Sequence, residues 1–340
     1  MSEALAALTT LRVGGPARTL VTCRTEEELV EAIRACDASG EPVLIVGGGS
    51  NLVVGDEGFS GTVVLVRSRG IEAEADECAG AWVTVAAGEP WDDVVARAVA
   101  EGWVGLEALS GIPGLTGATP IQNVGAYGAE VADTIARVRA YDRLSGEVAT
   151  LAAGDCGFGY RTSRFKADAV RYAVLSVTFQ LPLGSLSAPV RYAELAERLG
   201  VAVGERAPLA RVREAVLDLR RGKGMVLDDT DHDTWSVGSF FTNPVVDAGV
   251  APEGAPQWSQ PDGRVKVSAA WLVERAGFPR GFSLDRRAAV SGKHALALTN
   301  RGDASAGDVL RLAHAIRDGV HEAFGITLVP EPTLIACPLD

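Results

Sequence analysis

The chain has 340 residues, 47% hydrophobic and 22% charged, which excludes a disordered or fibrous protein. A net charge of −12, from 32 Lys+Arg against 44 Asp+Glu, excludes a nucleic-acid binder that relies on a broad basic surface. No apolar run approaches the roughly 18–20 residues needed to span a bilayer, and Met1-Ser2-Glu3-Ala4 is no basic leader, so a cytoplasmic protein without a membrane partner is expected.

Taken in chain order, Thr25-Glu26-Glu27-Glu28 opens a predicted helix with Leu29, Ile33 and Cys36 on one face and Gly40 at its end. Pro42 stops that helix, Val43 to Val46 reads as a short buried strand, and a second apolar run follows at Val63 to Val66. A strand at Trp82 to Ala86 and a helix from Glu89 to Glu101, with Pro90 in its first turn, continue the mixed α/β pattern. Leu106 to Gly128 is glycine-rich, proline-containing and aperiodic, and a loop of this length inside a domain is usually functional. Strands are predicted at Arg137 to Tyr141, Val148 to Leu151 and Tyr172 to Leu181. An amphipathic helix is predicted from Ala210 to Arg221, with Val212, Ala215, Val216 and Leu219 on its buried face. Asp228 to Ser236 reads as an acidic surface loop, and Ser268 to Ala276 and Asp308 to Phe324 as helices, the last opened by Ser305-x-x-Asp308 and closed by Gly325. A soft boundary between halves is expected near Gly184 to Arg191.

Five scattered cysteines without a CxxC pair argue against a disulfide framework and against structural zinc. The four histidines lack HExxH spacing, and His314 and His321, seven apart on a predicted helix, read as a helix face; no metal is expected. Among the basic residues there are 28 Arg and only four Lys: Lys166, Lys223, Lys266 and Lys293.

Gly47-Gly48-Gly49-Ser50-Asn51 follows a strand. Bare backbone N–H groups there suit a pyrophosphate, although the run is neither a Rossmann fingerprint nor a P-loop, and a simple tight turn explains it equally. Ser110-Gly111-Ile112-Pro113-Gly114 and Gln122-Asn123-Val124-Gly125-Ala126-Tyr127-Gly128 build a second loop. Its backbone and the Gln122 and Asn123 amides can hydrogen-bond a flat heterocycle, or the loop can be a structural crossover. Two such loops about 60 residues apart favour one extended ligand lying between them. Tyr160-Arg161-Thr162-Ser163-Arg164-Phe165-Lys166 and Arg220-Arg221-Gly222-Lys223-Gly224 concentrate cations, as anion sites do and as solvated faces and helix C-termini also do. Ser239 lies in Gly238-Ser239-Phe240-Phe241-Thr242-Asn243-Pro244 without a GxSxG elbow, so it is not read as a hydrolase nucleophile.

Together these motifs resemble the UDP-N-acetylenolpyruvoylglucosamine reductases, a family of flavoenzymes of peptidoglycan precursor synthesis. The resemblance runs from Thr10 to Glu331. It rests on VLIVGGGSNLVV (43–54), GLEALSGIPGLTGATPIQNVGAYGAEV (105–131), YRTSRFK (160–166), VGSFFTNPVV (237–246) and AAWLVERAGF (269–278), in family order. It implies an α+β fold: a two-lobed FAD-binding unit of the vanillyl-alcohol-oxidase type plus a C-terminal α+β substrate-binding domain. The implied divisions are 1–66 and 67–215 for the lobes, 216–325 for the substrate domain, and 326–340 for the segment bearing Glu331.

The resemblance further implies non-covalent FAD, with no histidine or cysteine in either loop to tether it. The pyrophosphate would rest on Val46, Gly47, Gly48, Gly49, Ser50, Asn51 and Leu52. The flavin would rest on Ser110, Gly111, Ile112, Pro113 and Gly114 and on Gln122, Asn123, Gly125, Ala126 and Tyr127, with Arg220 as a further cofactor contact. NADPH is the implied reductant, and the enolpyruvyl ether of UDP-N-acetylglucosamine the implied substrate, taking hydride from flavin N5 at C3. Ser239 matches the proton donor to C2, and Arg161 and Glu331 match the pair that stabilises the enolate. A bare carboxylate would repel that charge, which implies a Glu331 that is protonated or tightly paired with Arg161 during the step. Tyr192, Lys223, Asn243, Arg280 and His294 match contacts to the UDP phosphates and NADPH. The expected partners are these small molecules alone, acting on a monomer. Another FAD oxidoreductase of the same fold, or a nucleotide-sugar binding protein without chemistry, are the alternatives.

Overall fold

The computed structural model describes residues 4–339, and its contacts divide the chain into two units. One comprises Arg18–Gly48 and Gly61–Arg221 and is here the sheet unit; the other interleaves the chain through Ala17, Gly49–Ser60 and everything from Gly222 onward.

The sheet unit is built on five antiparallel strands in the order Glu147–Ala152, Ile135–Asp142, Tyr172–Leu181, Gly80–Ala86, Ile71–Asp76. Tyr172–Leu181 lies in the middle and is buried along most of its length, as its near-continuous apolar run requires. Two register shifts against Ile135–Asp142, at Val174/Ser176 and Thr178/Phe179, mark bulges that add twist. The helix Trp91–Ala100 lays Trp91, Val94, Val95 and Ala98 into a core with Val83, Val85, Val138, Val177 and Phe179; the Trp91 and Phe179 rings stand 5.8 Å apart. A second core joins Leu29, Val30 and Ile33 of the helix Glu26–Ser39 to Val64, Val66, Tyr141 and Leu175. That helix begins and ends where its sequence says. Thr25 Oγ1 accepts the Glu28 N–H at 3.2 Å, and Gly40 takes φ 70°, which relieves the last turn without Cβ strain. Val43–Val46 pairs in parallel with Phe59–Val66, Val43 opposite Thr62. A third small core sits under the helix Leu209–Gly222, where Val212, Ala215 and Val216 meet Val190, Leu195 and Leu199.

The interleaved unit is organised around the helix Ala306–Phe324. Val309, Leu312, Ala313, Ile316 and Val320 form its buried stripe, at the spacing of one helix face. Its N-terminus has a reciprocal capping box between Ser305 and Asp308. Asp56 adds two more acceptors, for the N–H groups of Ala306 (2.8 Å) and Gly307 (3.0 Å). The helix Ala269–Arg275, the hairpin of Ala288–Val290 with Leu298–Asn300, and Phe240 and Phe241, whose rings meet edge-on, complete the core. Leu52–Val54 and Thr333–Ile335 pair in parallel, so an early and a late segment of the chain close one small sheet. Among the described residues no helix is long and apolar enough to cross a membrane. The architecture is α+β, as expected.

Candidate active site in two parts

In the sheet unit the strand Val43–Val46 delivers Gly47 and Gly48 directly onto the second glycine loop. A Cβ on Gly48 would come within 2.7 Å of the Gly114 Cα, so only glycine permits this approach. Arg67, whose burial pulls its pKa down, donates from Nη1 to the carbonyls of Gly47 (2.9 Å) and Val66 (2.7 Å) and holds the turn. Ser110 is fully buried and donates to the Glu107 carbonyl at 2.7 Å. Glu107 is itself buried, and its carboxylate accepts the N–H groups of Gly105 (2.7 Å) and Ala188 (2.6 Å). The Gly111 N–H goes to Asp92 at 2.6 Å, while Ile112, Pro113 and Gly114 stay partly open.

The Asn123 amide makes its hydrogen bonds within the protein. Its Nδ2 donates to Glu130 (2.7 Å) and to the Gly159 carbonyl (3.1 Å), and its Oδ1 accepts the Ala132 N–H (3.1 Å). Asn123 sits at φ 46°, a left-handed position that asparagine tolerates, and there it turns the loop. Gln122 Oε1 likewise accepts from Lys166 Nζ at 2.5 Å. Gly125–Ala126 and Ala129–Glu130 form a minimal hairpin with Tyr127 (φ 51°) and Gly128 (φ 81°) at its tip, the two left-handed residues that a tight hairpin turn demands. Burial raises the Tyr127 hydroxyl to about 12, so it stays protonated, and its ring meets Tyr192 edge-on at 5.6 Å.

Arg161 is a third left-handed residue other than glycine here, at φ 52°, and its Nη2 donates to the Gly125 carbonyl at 3.0 Å. Strain of this kind in a bulky side chain persists only where the surroundings impose it, and it gathers at functional sites. Arg220 has its Nε shielded from solvent; desolvation lowers its pKa to about 10, against the raising influence of Tyr127 and Asp92.

In the interleaved unit Gly49 packs tightly on the Leu8–Thr9 backbone, and the Gly49 carbonyl accepts the Thr10 N–H at 3.2 Å. Ser50 follows, and Asn51 brings the loop to Glu331: its carbonyl accepts the Thr333 N–H (2.9 Å) and its Nδ2 donates to the Glu331 carbonyl (3.4 Å). Ser239 occupies the middle of an irregular three-stranded seam. It is bridged to Ala297 on one side. On the other, the Phe240 carbonyl accepts the Glu331 N–H at 2.8 Å and Phe241 is bridged to Pro330. Asn243 Oδ1 accepts the Ala269 N–H at 2.9 Å and helps Ser268 open the next helix. His294 Nδ1 accepts the Leu296 N–H at 3.2 Å, which in the neutral ring leaves the proton on Nε2. Arg280 is exposed beside Glu274, 3.7 Å away.

The segment read as an acidic surface loop is exposed from Asp228 to Thr230 and is tied down beyond that. Thr234 and Ser236 are buried, and His232–Thr234 makes a short helical turn. Asp233 accepts from the Gly292 N–H (2.9 Å) and from Arg301 (3.0 Å), and Asp231 pairs with Lys293 (2.5 Å), so both acids brace the turn that carries His294. Arg12 lies 3.8 Å above the Trp235 ring and pairs with Asp229. Sequence reasoning missed Asp92, Glu107, Asp231 and Asp233. Their charged or long-range partners are distant in sequence, and an acid in a first turn or loop carries no local signal of being paired. Among the described residues no cluster of three or more potential metal ligands occurs.

Residues 17–152 match the profile described as FAD binding domain, which places the chain in a class, the FAD-dependent oxidoreductases. The residues fit such a cofactor: Gly48 and Gly114 keep the loop junction free of side chains, and neither loop offers a histidine or cysteine for a covalent link.

Residues 229–335 match the profile described as UDP-N-acetylenolpyruvoylglucosamine reductase, C-terminal domain. Proteins named UDP-N-acetylenolpyruvoylglucosamine reductase include one from Cutibacterium acnes, 60% identical over 337 residues (98% of this chain, 90% of that protein). Another, from Mycobacterium tuberculosis, is 54% identical over 356 residues (98% and 95%). The crystal structure of the Thermus caldophilus UDP-N-acetylenolpyruvylglucosamine reductase is similar at a TM-score of 0.65 and 25% identity, covering 98% of each chain. The chain belongs to the UDP-N-acetylenolpyruvoylglucosamine reductase family.

Proposed function

We propose that this protein reduces the enolpyruvyl ether of UDP-N-acetylglucosamine to UDP-N-acetylmuramate for peptidoglycan synthesis, with NADPH as reductant. FAD, when bound, would supply the hydride chemistry that links NADPH to C3 of the substrate. The residues of the chain handle the charge and the proton. Arg161 and Glu331 stabilise the enolate, and Ser239 gives its hydroxyl proton to C2. Serine is a weak acid, so this transfer needs a strongly basic enolate and a hydroxyl held in line. Tyr192, Lys223, Asn243, Arg280 and His294 hold the UDP phosphates and NADPH. In this reading residues 1–66 and 67–215 are the cofactor lobes, 216–325 the substrate part, and 326–340 the segment that carries Glu331.

The observation that carries the proposal is the backbone seam around Ser239. Pairing with Ala297 on one side, and the 2.8 Å bond from the Glu331 N–H to the Phe240 carbonyl on the other, hold Ser239 and Glu331 on neighbouring stretches. Such bonded stretches give a proton donor and a charge-stabilising group the fixed spacing that the chemistry needs.

An anaerobic visible spectrum tests the proposal. Flavin bands should bleach with NADPH and return stoichiometrically when the enolpyruvyl UDP-sugar is added. Bands that bleach but do not return would remove this substrate and keep the flavoenzyme.

A further inference from the structure

The helix Trp91–Ala100 carries Asp92 in its first turn, where a negative charge suits the helix dipole and needs no other explanation. Its contacts go further. Oδ1 accepts the Gly111 N–H at 2.6 Å and Arg213 Nη1 at 2.7 Å, while Oδ2 accepts Arg213 Nη2 at 2.8 Å. The two-toothed pairing fixes the carboxylate plane as well as its position. Arg213 lies seven residues before Arg220 on Leu209–Gly222, two turns along the same helix face. The guanidinium of Arg213 is mostly covered, and the desolvated Arg220 feels the charge of Asp92. One carboxylate therefore joins a glycine-loop amide, a second helix, and the field at a desolvated cation.

We propose that Asp92 is a positioning residue for the cofactor, clamping the Ser110–Gly114 loop to the helix that carries Arg213 and Arg220. The proposal rests on the reading that this loop and Arg220 line FAD. Asp92 touches neither the cofactor nor the substrate in this role. It sets where the Gly111 backbone stands, and its negative charge offsets part of the field of Arg220. A bidentate carboxylate–guanidinium pair suits the task because a slide or a rotation of either partner breaks one of its two bonds.

The test begins with reconstitution of wild-type apoprotein by FAD, followed by fluorescence, and continues with Asp92→Asn and Arg213→Lys. Asparagine keeps an acceptor for Gly111 but loses the charge that holds Arg213; lysine keeps the charge but loses the two-toothed geometry. The FAD Kd should rise on the order of tenfold in Asp92→Asn and less in Arg213→Lys, the scale of one charge-assisted hydrogen bond. The absorption bands of the bound flavin should shift. Its midpoint potential should rise in Asp92→Asn, since one negative charge beside Arg220 is gone. Lower melting temperatures with wild-type Kd, bands and potential would reduce Asp92 to a structural ion pair and overturn the proposal. If Asp92→Asn fails to fold, Arg213→Lys supplies the same readouts. A wild-type protein that takes up no FAD would overturn the cofactor reading itself, and this proposal with it, at the first step.

Discussion

The loop at Leu106–Gly128 and the segment at Asp228–Ser236 both look irregular, yet they are held by different physics. In the first, buried side chains serve mainly backbone groups: Ser110 the Glu107 carbonyl, Glu107 two N–H groups, and Asn123 two backbone groups and the Glu130 carboxylate. In the second, acids pair with Lys293, Arg301 and Arg12, largely within reach of water. Buried hydrogen bonds are costly to remove because an unsatisfied group stays behind, whereas exposed ion pairs are weak and screened. A glycine-rich loop can therefore be the stiffer of the two.

Four measurements sharpen or break this contrast. Ser239→Ala, on the seam reached through the second segment, should slow substrate reduction by about 10³-fold while flavin reduction by NADPH stays near wild type, as stopped-flow half-reactions will read. Equal loss in both half-reactions would remove Ser239 from the proton-donor role. Asn123→Ala should cost about 2–4 kcal/mol in urea unfolding, since three hydrogen bonds go and alanine is strained at φ 46°. A cost near zero would mean that the loop is not stiff.

Asp233→Asn should cost about 1 kcal/mol and raise the KM for the UDP-sugar more than it lowers kcat, because Asp233 braces the turn of His294. In about 1 M salt, where the screening length falls to about 3 Å, the wild type should move towards the variant. Asp231→Asn should be smallest, about 0.5 kcal/mol or less, given the exposure of the pair. Its pH dependence has a definite sign. The hydrogen bond from Lys293 lowers the Asp231 pKa, so that contribution is present above the usual carboxylate range and is lost as pH falls through the lowered value. The same bond raises the Lys293 pKa, so its contribution is present below the usual lysine value and lost as pH rises through the raised one. Wild type and variant should differ by a constant amount across neutral pH. A difference that varies between pH 6 and 8 would show another titrating group at work.

Much of the fold is legible where local chemistry decides it. Thr25 and Gly40 bound one helix, Ser305 and Gly325 another, and the apolar run Tyr172–Leu181 is a strand to the residue. Ile71–Asp76 escapes notice because it is an edge strand of alternating acids and small residues, exposed along nearly all its length. Val245–Val246, Gln257–Ser259 and Val265–Val267 are too short to carry a period. The candidate site is legible as motifs, but its supports are not. Asp92 meets Arg213 across 121 positions, and no spacing rule reports such a pair.

The parallel pairing of Leu52–Val54 with Thr333–Ile335 also bears on the order of events at the ribosome. Partners so far apart carry a high loop-closure cost, and the earlier one must wait for the later to be made. At ordinary synthesis rates that wait is on the order of tens of seconds. During it, Leu52–Val54 is an apolar strand with an unsatisfied edge, the kind of segment that chaperones hold and that aggregates when they do not. The five-stranded sheet, whose strands all lie within residues 71–181, has no such delay.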